Sequence, residues 1–314
     1  MGIVRAFLGL GALQLATACS QPLDEVWQLS RYRVLGVRTE PAEANPSDAL
    51  TLTLASADNA VREVTTVWFL CDQRISAFAS ASGGASDGGV FGGCPTGHFQ
   101  LDSGPVAHFT APLSGGGTLD ELGRELYSVI GFSCAGGTID LPTTESNGLP
   151  RCSGTNASGT MFVRSVYVRA AGVLGPPNQN PAITEVRFGQ PGATQVLGAS
   201  DLPAVPTCQD QRHHVGCTPW QFEVGFDAPS RETYRAPDPL SGVVRSLTER
   251  LTVSYLVSAG TLDGGFRADS VESPTSTMAN TWYAPDRPGA VDVWVYGNDG
   301  RGGFDFTVRH VRVR

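Results

Sequence analysis

The chain has 314 residues, of which 41% are hydrophobic and 17% are charged, and its formal net charge is −8. This length suggests one or two domains, each large enough to bury a core of its own. The negative charge repels nucleic acid and anionic lipid surfaces at long range, so we predict neither as a partner.

The N-terminus has the pattern of a secretory signal peptide. One positive charge, Arg5, precedes thirteen residues without a charge, at positions 6–18. A membrane-spanning helix needs about 20 apolar residues, so this stretch is too short to be one. We therefore predict that residues 1–18 are a signal peptide that is cleaved on export.

The end of this segment contains a cysteine in a distinctive setting. Residues 15–18, with the sequence LATA, precede Cys19 and resemble the lipobox of bacterial lipoproteins, in which small residues precede an invariant cysteine. The resemblance implies that Cys19 is acylated and anchors the mature chain to the membrane, with residues 19–30 as a tether. The next residue is Ser20, not the aspartate that retains enteric lipoproteins at the inner membrane, so the resemblance favours the outer membrane. The alternative is an ordinary secretory signal with a chance cysteine.

Beyond the tether, short apolar or alternating segments are separated by Gly, Pro, Ser and Asp clusters, with almost no helical periodicity. The predicted strands are, in chain order, residues 33–38, 50–54, 64–70, 106–110, 126–133, 161–169, 182–188, 220–226, 250–257, 279–284, 290–296 and 304–313. A capping-box pattern in residues 118–121 predicts a single helical turn within a connection. These elements are typical of an all-β chain.

The two halves of the chain resemble each other in the same order. Three segments match in pairs: residues 66–70 with 252–256, residues 108–112 with 281–285, and residues 162–169 with 306–313. A repeat of this kind indicates two copies of one supersecondary unit. Residues 172–181 between the copies contain three prolines and two asparagines and are the predicted linker.

About seven short strands per copy, with Trp68 in the middle of the third, predict an immunoglobulin-like sandwich in each half. The second copy ends with PGAVDVWV at residues 288–295 and NDG at residues 298–300, and it resembles the PKD and related Ig-like modules of bacterial surface proteins. The W-x-F-G-D motif of PKD domains is missing. The predicted fold is two tandem Ig-like β-sandwich domains after a cleaved lipoprotein signal peptide, at residues 31–171 and 182–314.

Three further segments resemble bacterial cell-envelope lipoproteins with two Ig-like or PKD-like sandwich domains. They are Trp27, residues 33–41 with the sequence RVLGVRTEP, and residues 178–181 with the sequence NQNP. The resemblance extends over the whole mature chain. It implies a location and a fold, and it implies no activity.

Of the seven cysteines, six remain when Cys19 is set aside, and an even number in an exported chain predicts disulfides. The composition of the enclosed loops favours nearest-neighbour pairing: Cys71 with Cys94, Cys134 with Cys152, and Cys208 with Cys217. Cys71 and Cys134 end neighbouring antiparallel strands at opposite poles, beyond the ~7 Å limit for a bridge, so they should not pair. No pair has zinc-site spacing, and we predict no metal.

Motifs for catalysis or for a cofactor are not found in the sequence, which has neither a G-x-S-x-G elbow nor a D-x-D-x-D-G calcium loop. His213 and His214 are predicted to be an exposed loop pair rather than a metal site. Asp299 is predicted to lie in a hairpin turn between the last two strands, with a calcium role for Asp299 or Asp263 as the alternative. We predict no cofactor and no enzymatic activity.

The strand at residues 290–296 has apolar side chains on both faces. Its three valines must face the core, so Asp292, Trp294 and Tyr296 are predicted to face outward. Two outward aromatic side chains indicate either a binding surface for a sugar or a protein, or a face that is covered by the first domain, by an arginine of a neighbouring strand or by the linker. Cover by one of these three is the favoured interpretation.

The sequence therefore predicts a non-enzymatic outer-membrane or surface lipoprotein that acts as a structural or binding module. Its partners are the membrane, through the lipid, and a protein or carbohydrate. The alternatives are a hydrolase of envelope polymers and an accessory domain of a co-encoded secreted enzyme system. Two facing carboxylates with raised pKa values in a cleft between the domains would favour the hydrolase.

Overall fold

The computed structural model describes residues 25–71, 99–113, 115–141, 150–173, 175–210, 213–237, 241–268 and 277–314. The predicted signal peptide, Cys19, Cys94 and His98 lie outside these residues. Within the described ranges the helical structure is a single 3-10 turn, Ala228–Ser230. None of these residues belongs to a helix long and apolar enough to cross a membrane.

The first half of the chain forms eleven strands. They are β1 Arg33–Glu40, β2 Glu43–Ala44, β3 Ala49–Ala57, β4 Val64–Cys71, β5 Phe99–Ser103, β6 Val106–Thr110, β7 Thr118–Leu119, β8 Arg124–Ala135, β9 Thr138–Asp140, β10 Arg151–Ser153 and β11 Ser158–Arg169. The connection from β11 to the second half spans residues 170–182.

The second half forms twelve strands. They are β12 Ile183–Gln190, β13 Ala193–Val196, β14 Ala204–Val205, β15 Pro219–Phe226, β16 Thr233–Pro237, β17 Val244–Thr248, β18 Thr252–Val257, β19 Thr261–Leu262, β20 Phe266–Ala268, β21 Thr277–Tyr283, β22 Gly289–Asn298 and β23 Phe304–Val313.

Each half is an Ig-like sandwich of two sheets. Sheet 1A has the order β1-β3-β6, and sheet 1B has the order β2-β11-β8-β4-β5, with β7 beside β8. Sheet 2A has the order β13-β12-β15-β21-β19, and sheet 2B has the order β14-β23-β22-β18-β20. One apolar core lies between the sheets of each sandwich, and β9-β10 and β16-β17 are separate hairpins. The predicted all-β sandwich fold is confirmed.

The strand order of the first sandwich recurs in the second. Strands β11, β8, β4 and β5 have the same neighbours as β23, β22, β18 and β20, and β1-β3-β6 corresponds to β12-β15-β21. In both sandwiches a short strand, β2 or β14, pairs parallel with the last strand. The internal repeat predicted from three matched segments is therefore present in the topology.

Two of the three sequence matches are wrong by one residue. The match aligns Trp68 with Ser254, but Trp68 faces its core and Ser254 does not, whereas Tyr255 is fully buried. The match of the last strands has the same error, because it aligns Val168 with Arg312. In the structure Val168 corresponds to Val313: both are buried, and each pairs with the short parallel strand of its sandwich, β2 or β14. Side chains alternate along a strand, so a shift of one residue exchanges the two faces.

Trp68 organises the first core as predicted. Its ring is fully buried, and its Nε1 donates to the Gly104 carbonyl oxygen at 2.7 Å. Phe162 packs edge-on against it at 5.1 Å. Gly131 makes room for this ring, because a Cβ there would lie 2.0 Å from Phe162.

The predicted helical turn at residues 118–121 is wrong. Thr118 and Leu119 form β7 and pair with β8. The Asp120 carboxylate accepts from the backbone N–H groups of Leu122 and Arg124, both within 3 Å. Asp120 therefore closes a tight turn between two strands instead of capping a helix.

Two of the predicted disulfides are present. Cys134 pairs with Cys152, and Cys208 pairs with Cys217. Cys71 is also disulfide-bonded, and its predicted partner Cys94 lies outside the described residues. Cys134 is in register with Thr65, at the opposite end of β4 from Cys71, so the prediction that Cys71 and Cys134 do not pair is confirmed.

Candidate functional site

The two sandwiches meet at a cluster of buried charged and polar side chains, which we call the charged junction. Its members come from β2, β8, β11, the connection at residues 170–182, the base of the β16-β17 hairpin and the β22-β23 loop. They are Glu43, Arg124, Arg169, Asn178, Glu232, Glu249, Asp299 and Arg301. Burying so many charges is costly unless each has a partner.

Arg301 lies at the centre of the charged junction. Its Nη1 donates to Glu249 Oε1 at 2.7 Å and to Glu232 Oε2 at 3.3 Å. Its guanidinium lies 4.4 Å from the centre of the Tyr234 ring. On the other side, Nη2 is 3.8 Å from Glu43 Oε2 in the first sandwich. One cation thus interacts with carboxylates of both sandwiches.

Glu43 is the matching anion in the first sandwich, and its side chain is 1% exposed. Its Oε1 accepts from Arg169 Nη1 at 2.6 Å. Its Oε2 accepts from the Asn178 backbone N–H at 3.1 Å and from Arg124 Nη1 at 3.4 Å. Arg124 in turn donates to the Arg301 carbonyl oxygen at 2.8 Å. Glu43 therefore needs the first sandwich, the connection and the β22-β23 loop together.

Asp299 shapes the β22-β23 loop. Its carboxylate accepts from the backbone N–H groups of Arg301 at 2.7 Å and Gly303 at 2.9 Å. It also accepts from Asn178 Nδ2 at 2.9 Å. The predicted turn between the last two strands is confirmed, but Asp299 is buried in it. Asp263, the other calcium candidate, is 71% exposed in a different loop.

Asn180 holds the connection against both sandwiches. Its Nδ2 donates to the Thr39 carbonyl oxygen at 2.7 Å, and its Oδ1 accepts from the Phe304 backbone N–H at 2.9 Å. The Phe304 ring lies over Gly36 of β1, where a Cβ would be 2.5 Å from the ring. Glycine at this position therefore permits the close approach of β1 and β23.

All three segments that carry the family resemblance contribute to this contact. Residues 33–41 supply β1, and residues 178–181 supply both asparagines of the connection. The Trp27 carbonyl oxygen accepts from the Val257 backbone N–H at 2.9 Å, and the Leu29 backbone N–H donates to the Val257 carbonyl oxygen at 2.9 Å. The N-terminal residues thus extend the edge of sheet 2B.

The predicted outward-facing aromatic surface on β22 is covered. Trp294 is 6% exposed and packs in one apolar cluster with Leu29 and Ala57. An open stacking surface formed by Asp292, Trp294 and Tyr296 is therefore wrong for Trp294, and Tyr296 is half-buried beside the same cluster. The cover comes from Ala57 of the predicted first domain and from Leu29, which lies in the predicted tether.

Asp292 pairs with a histidine on the neighbouring strand. Its Oδ1 is 2.7 Å from His310 Nδ1, and its backbone N–H donates to Ser258 Oγ at 2.9 Å. Ser258 and His310 flank Asp292 from opposite sides of β22, roughly 10 Å apart at the usual strand spacing. The three residues therefore do not form a Ser-His-Asp relay, in which histidine must lie between the other two.

The adjacent histidines lie on the loop that the Cys208–Cys217 disulfide closes. His213 Nδ1 is 2.7 Å from Asp210 Oδ2, and the His214 ring stacks on Tyr283 at 3.7 Å. Both histidines are exposed, as predicted. Among the residues with described positions, no group of three or more His, Cys, Asp or Glu is arranged to hold a metal ion.

Two carboxyl groups of the charged junction have raised pKa values. Burial, with the negative charge of Asp299 next in importance, raises the pKa of Glu249 to about 7. Burial also raises the pKa of Glu232. The hydrolase alternative requires such a pair, but both carboxylates bond to Arg301, and their side chains are 1% and 13% exposed. They are part of the packing between the sandwiches.

Sequence reasoning missed most of the charged junction. It singled out Asp299 as a turn residue and residues 178–181 as a family motif. Glu43, Arg124 and Arg301 are isolated charges in separate segments, and no local pattern connects them. Residues 33–41 and 178–181, which the sequence analysis singled out, do lie at this contact.

No protein-family model matches the chain, and no curated protein matches it. Among solved structures, the chain is similar to Escherichia coli alpha-2-macroglobulin activated by porcine elastase, with 11% identity and a TM-score of 0.20, over 93% of this chain and 22% of that one. It is also similar to dimeric latent PorU from Porphyromonas gingivalis, with 9% identity and a TM-score of 0.23, over 90% of this chain and 24% of that one. A third similar structure is the C-terminal domain of the Streptococcus pyogenes antigen I/II-family protein AspA, with 8% identity and a TM-score of 0.23, over 90% of this chain and 98% of that one. The chain spans less than a quarter of the first two. Structural similarities with TM-scores this low support no inference about function.

Replacing Arg301 with alanine tests the energetic role of the charged junction. The change leaves the carboxylates of Glu43 and Glu249 buried without their shared cation, so the free energy of unfolding should fall by about 3–5 kcal/mol. Urea denaturation followed by tryptophan fluorescence measures it. Arg287→Ala is the control, because it removes an exposed arginine side chain and should cost less than about 1 kcal/mol. Equal losses would count against a special role for Arg301.

Glu249 should make stability depend on pH. Because folding raises its pKa from 4.5 to about 7, its contribution to stability is complete below pH 4.5 and is lost as pH rises through about 7. We expect the free energy of unfolding of the wild type, minus that of Glu249→Gln, to decrease over this interval. Urea titrations at several pH values measure the slope, with Glu121→Gln, an exposed carboxylate, as the control. A flat difference for Glu249→Gln would refute the assignment.

Proposed function

We propose that this chain is an exported, lipid-anchored, non-catalytic module of the bacterial cell envelope, in which two Ig-like sandwiches act as one rigid unit. The charged junction is the observation that carries this proposal. Sandwich domains joined by a short connection usually move relative to each other. Here, movement would separate Arg301 from Glu43 and break the buried hydrogen bond from Arg124 to the Arg301 carbonyl oxygen.

The disulfides Cys134–Cys152 and Cys208–Cys217 indicate an exported chain, because such bonds persist in oxidising compartments. The finer location rests on the lipobox resemblance at Cys19, which implies an acyl anchor and favours the outer membrane. A rigid unit anchored through its N-terminal segment would hold a binding surface near the membrane. This geometry suits a structural or binding role.

The alternative is a hydrolase of envelope polymers. It draws support from the raised pKa values of Glu232 and Glu249, which lie between the sandwiches. The module is the better proposal because Arg301 engages both carboxylates, and a substrate would have to displace it. A hydrolytic role would also predict that Glu249→Gln abolishes an activity while the fold stays intact.

Replacing Cys19 with alanine tests the anchor. The wild-type full-length chain, expressed in a Gram-negative host with an alkyne-tagged fatty acid, should carry the label and sediment with membranes, because acyl chains supply the membrane affinity. Cys19→Ala should carry no label, since the acceptor thiol is gone. The neighbouring substitution Ser20→Ala is the control and should remain labelled. An unlabelled wild type, or a labelled Cys19→Ala, would overturn acylation at Cys19.

A further inference from the structure

The N-terminal segment and strand β20 share one edge of sheet 2B. Strand β20 pairs with the first residues of β18, and residues 27–29 continue the same edge through backbone hydrogen bonds to Val257 at the end of β18. The two segments touch, because a Cβ at Gly265 would lie 3.6 Å from Val26 Cγ2. Val26 therefore lies beside the residue that precedes Phe266.

Large apolar side chains at this edge are exposed to solvent. Val26 is 71% exposed and Phe266 is 64% exposed. Val61, which is 83% exposed, lies on the β3-β4 loop, where Asn59 Nδ2 donates to the Ser30 carbonyl oxygen at 3.4 Å. We call Val26, Val61 and Phe266 the apolar rim. A single exposed apolar residue is ordinary, but several on neighbouring segments mark an interaction surface.

The apolar rim is flanked by charges of both signs. Arg33 Nη1 donates to the Val26 carbonyl oxygen at 3.1 Å, and Arg267 of β20 lies 3.7 Å from the exposed carboxylate of Asp263. Glu25, which precedes Val26, is also exposed. These flanking residues do not share the acidic excess of the whole chain, whose net charge is −8. An approach to a membrane along this edge therefore meets less repulsion than the net charge implies.

The length of chain that precedes the apolar rim identifies what the rim faces. In the proposed function the anchor is the acylated Cys19, which lies seven residues before Val26. Seven residues span at most about 25 Å even when fully extended. The ten-residue strands β22 and β23 are each about 33 Å long at the usual rise per residue. The tether is therefore shorter than the sandwich, and it keeps this edge close to the lipid.

We propose that the apolar rim inserts into the interfacial region of a phospholipid bilayer, as a second membrane contact beside the acyl chains. Apolar and aromatic side chains are favourable at this depth. Three side chains are too few to bind a membrane alone, but the anchor raises their effective concentration at its surface. This inference rests on the proposed function and deepens it, because a second contact fixes the orientation of the two-sandwich unit on the membrane.

Fluorescence quenching by brominated lipids tests the proposal. The full-length chain, with a fluorescent aromatic amino acid in place of Phe266, is purified from a Gram-negative host, and its intact mass establishes whether it is acylated. It is then incorporated into phosphatidylcholine vesicles. We expect blue-shifted emission that lipids brominated on the acyl chains quench, because the side chain leaves water for the bilayer interface.

The same fluorescent amino acid in place of Val196 is the matched control. Val196 is 59% exposed, close to the value for Phe266, and it lies on β13, the edge strand of sheet 2A. Strand β21, which contacts β20, is separated from β13 by two strands, or roughly 14 Å at the usual strand spacing. A fluorophore at this position should be neither blue-shifted nor quenched.

A second variant tests the apolar rim itself. Val26→Asp places a carboxylate at the bilayer interface and should lower the inserted population about tenfold, which corresponds to about 1.4 kcal/mol. Val196→Asp should leave the quenching at position 266 unchanged. In an acylated chain, absent quenching at position 266, equal quenching at both positions, or a blue shift without quenching would overturn the membrane contact. A chain without the acyl mass would overturn the anchor and this inference together, so the two failures are distinguishable.

Discussion

The buried ion pairs of Arg301 are the interaction on which the arrangement of the molecule depends. Arg301 bonds to Glu249 at 2.7 Å within its own sandwich and lies 3.8 Å from Glu43 in the other. A buried pair of this kind contributes little net stability, because both ions lose their hydration. Its main effect is on specificity: in another orientation of the sandwiches Arg124 would lose the Arg301 carbonyl oxygen, and Asn178 would lose either Glu43 or Asp299. Asp299 and Asn178 then fix the loop and the connection that present Arg301.

An apolar seam complements this charged contact. Trp294 and Leu256 of the second sandwich pack under Leu29 and Ala57, so one face of sheet 2B is removed from water. The corresponding face of sheet 1B is also buried at its centre, where Ile130 and Phe132 are 8% and 9% exposed.

Local patterns were sufficient to predict twelve of the 23 strands in the described residues, the internal repeat and two disulfides. Alternation along a strand and turn-forming clusters are properties of neighbouring residues, so they can be read from the chain. Trp68 was placed correctly for the same reason. The one-residue errors in the repeat arose because a slip exchanges core and outer faces without changing the local pattern. The charged junction could not be predicted, since Glu43 and Arg301 are distant in sequence and have no shared pattern. The cover over Trp294 likewise depends on a tertiary contact.

The rigidity of the two-sandwich unit is the central claim, and an interdomain distance distribution tests it most directly. Spin labels attached through non-natural amino acids at Leu119 and Val196, which are 60% and 59% exposed on different sandwiches, avoid the native cysteines. Double electron–electron resonance should give one narrow distance distribution for the wild type and a broad one for Arg301→Ala. A broad distribution in the wild type would show that the sandwiches move independently and would contradict the account.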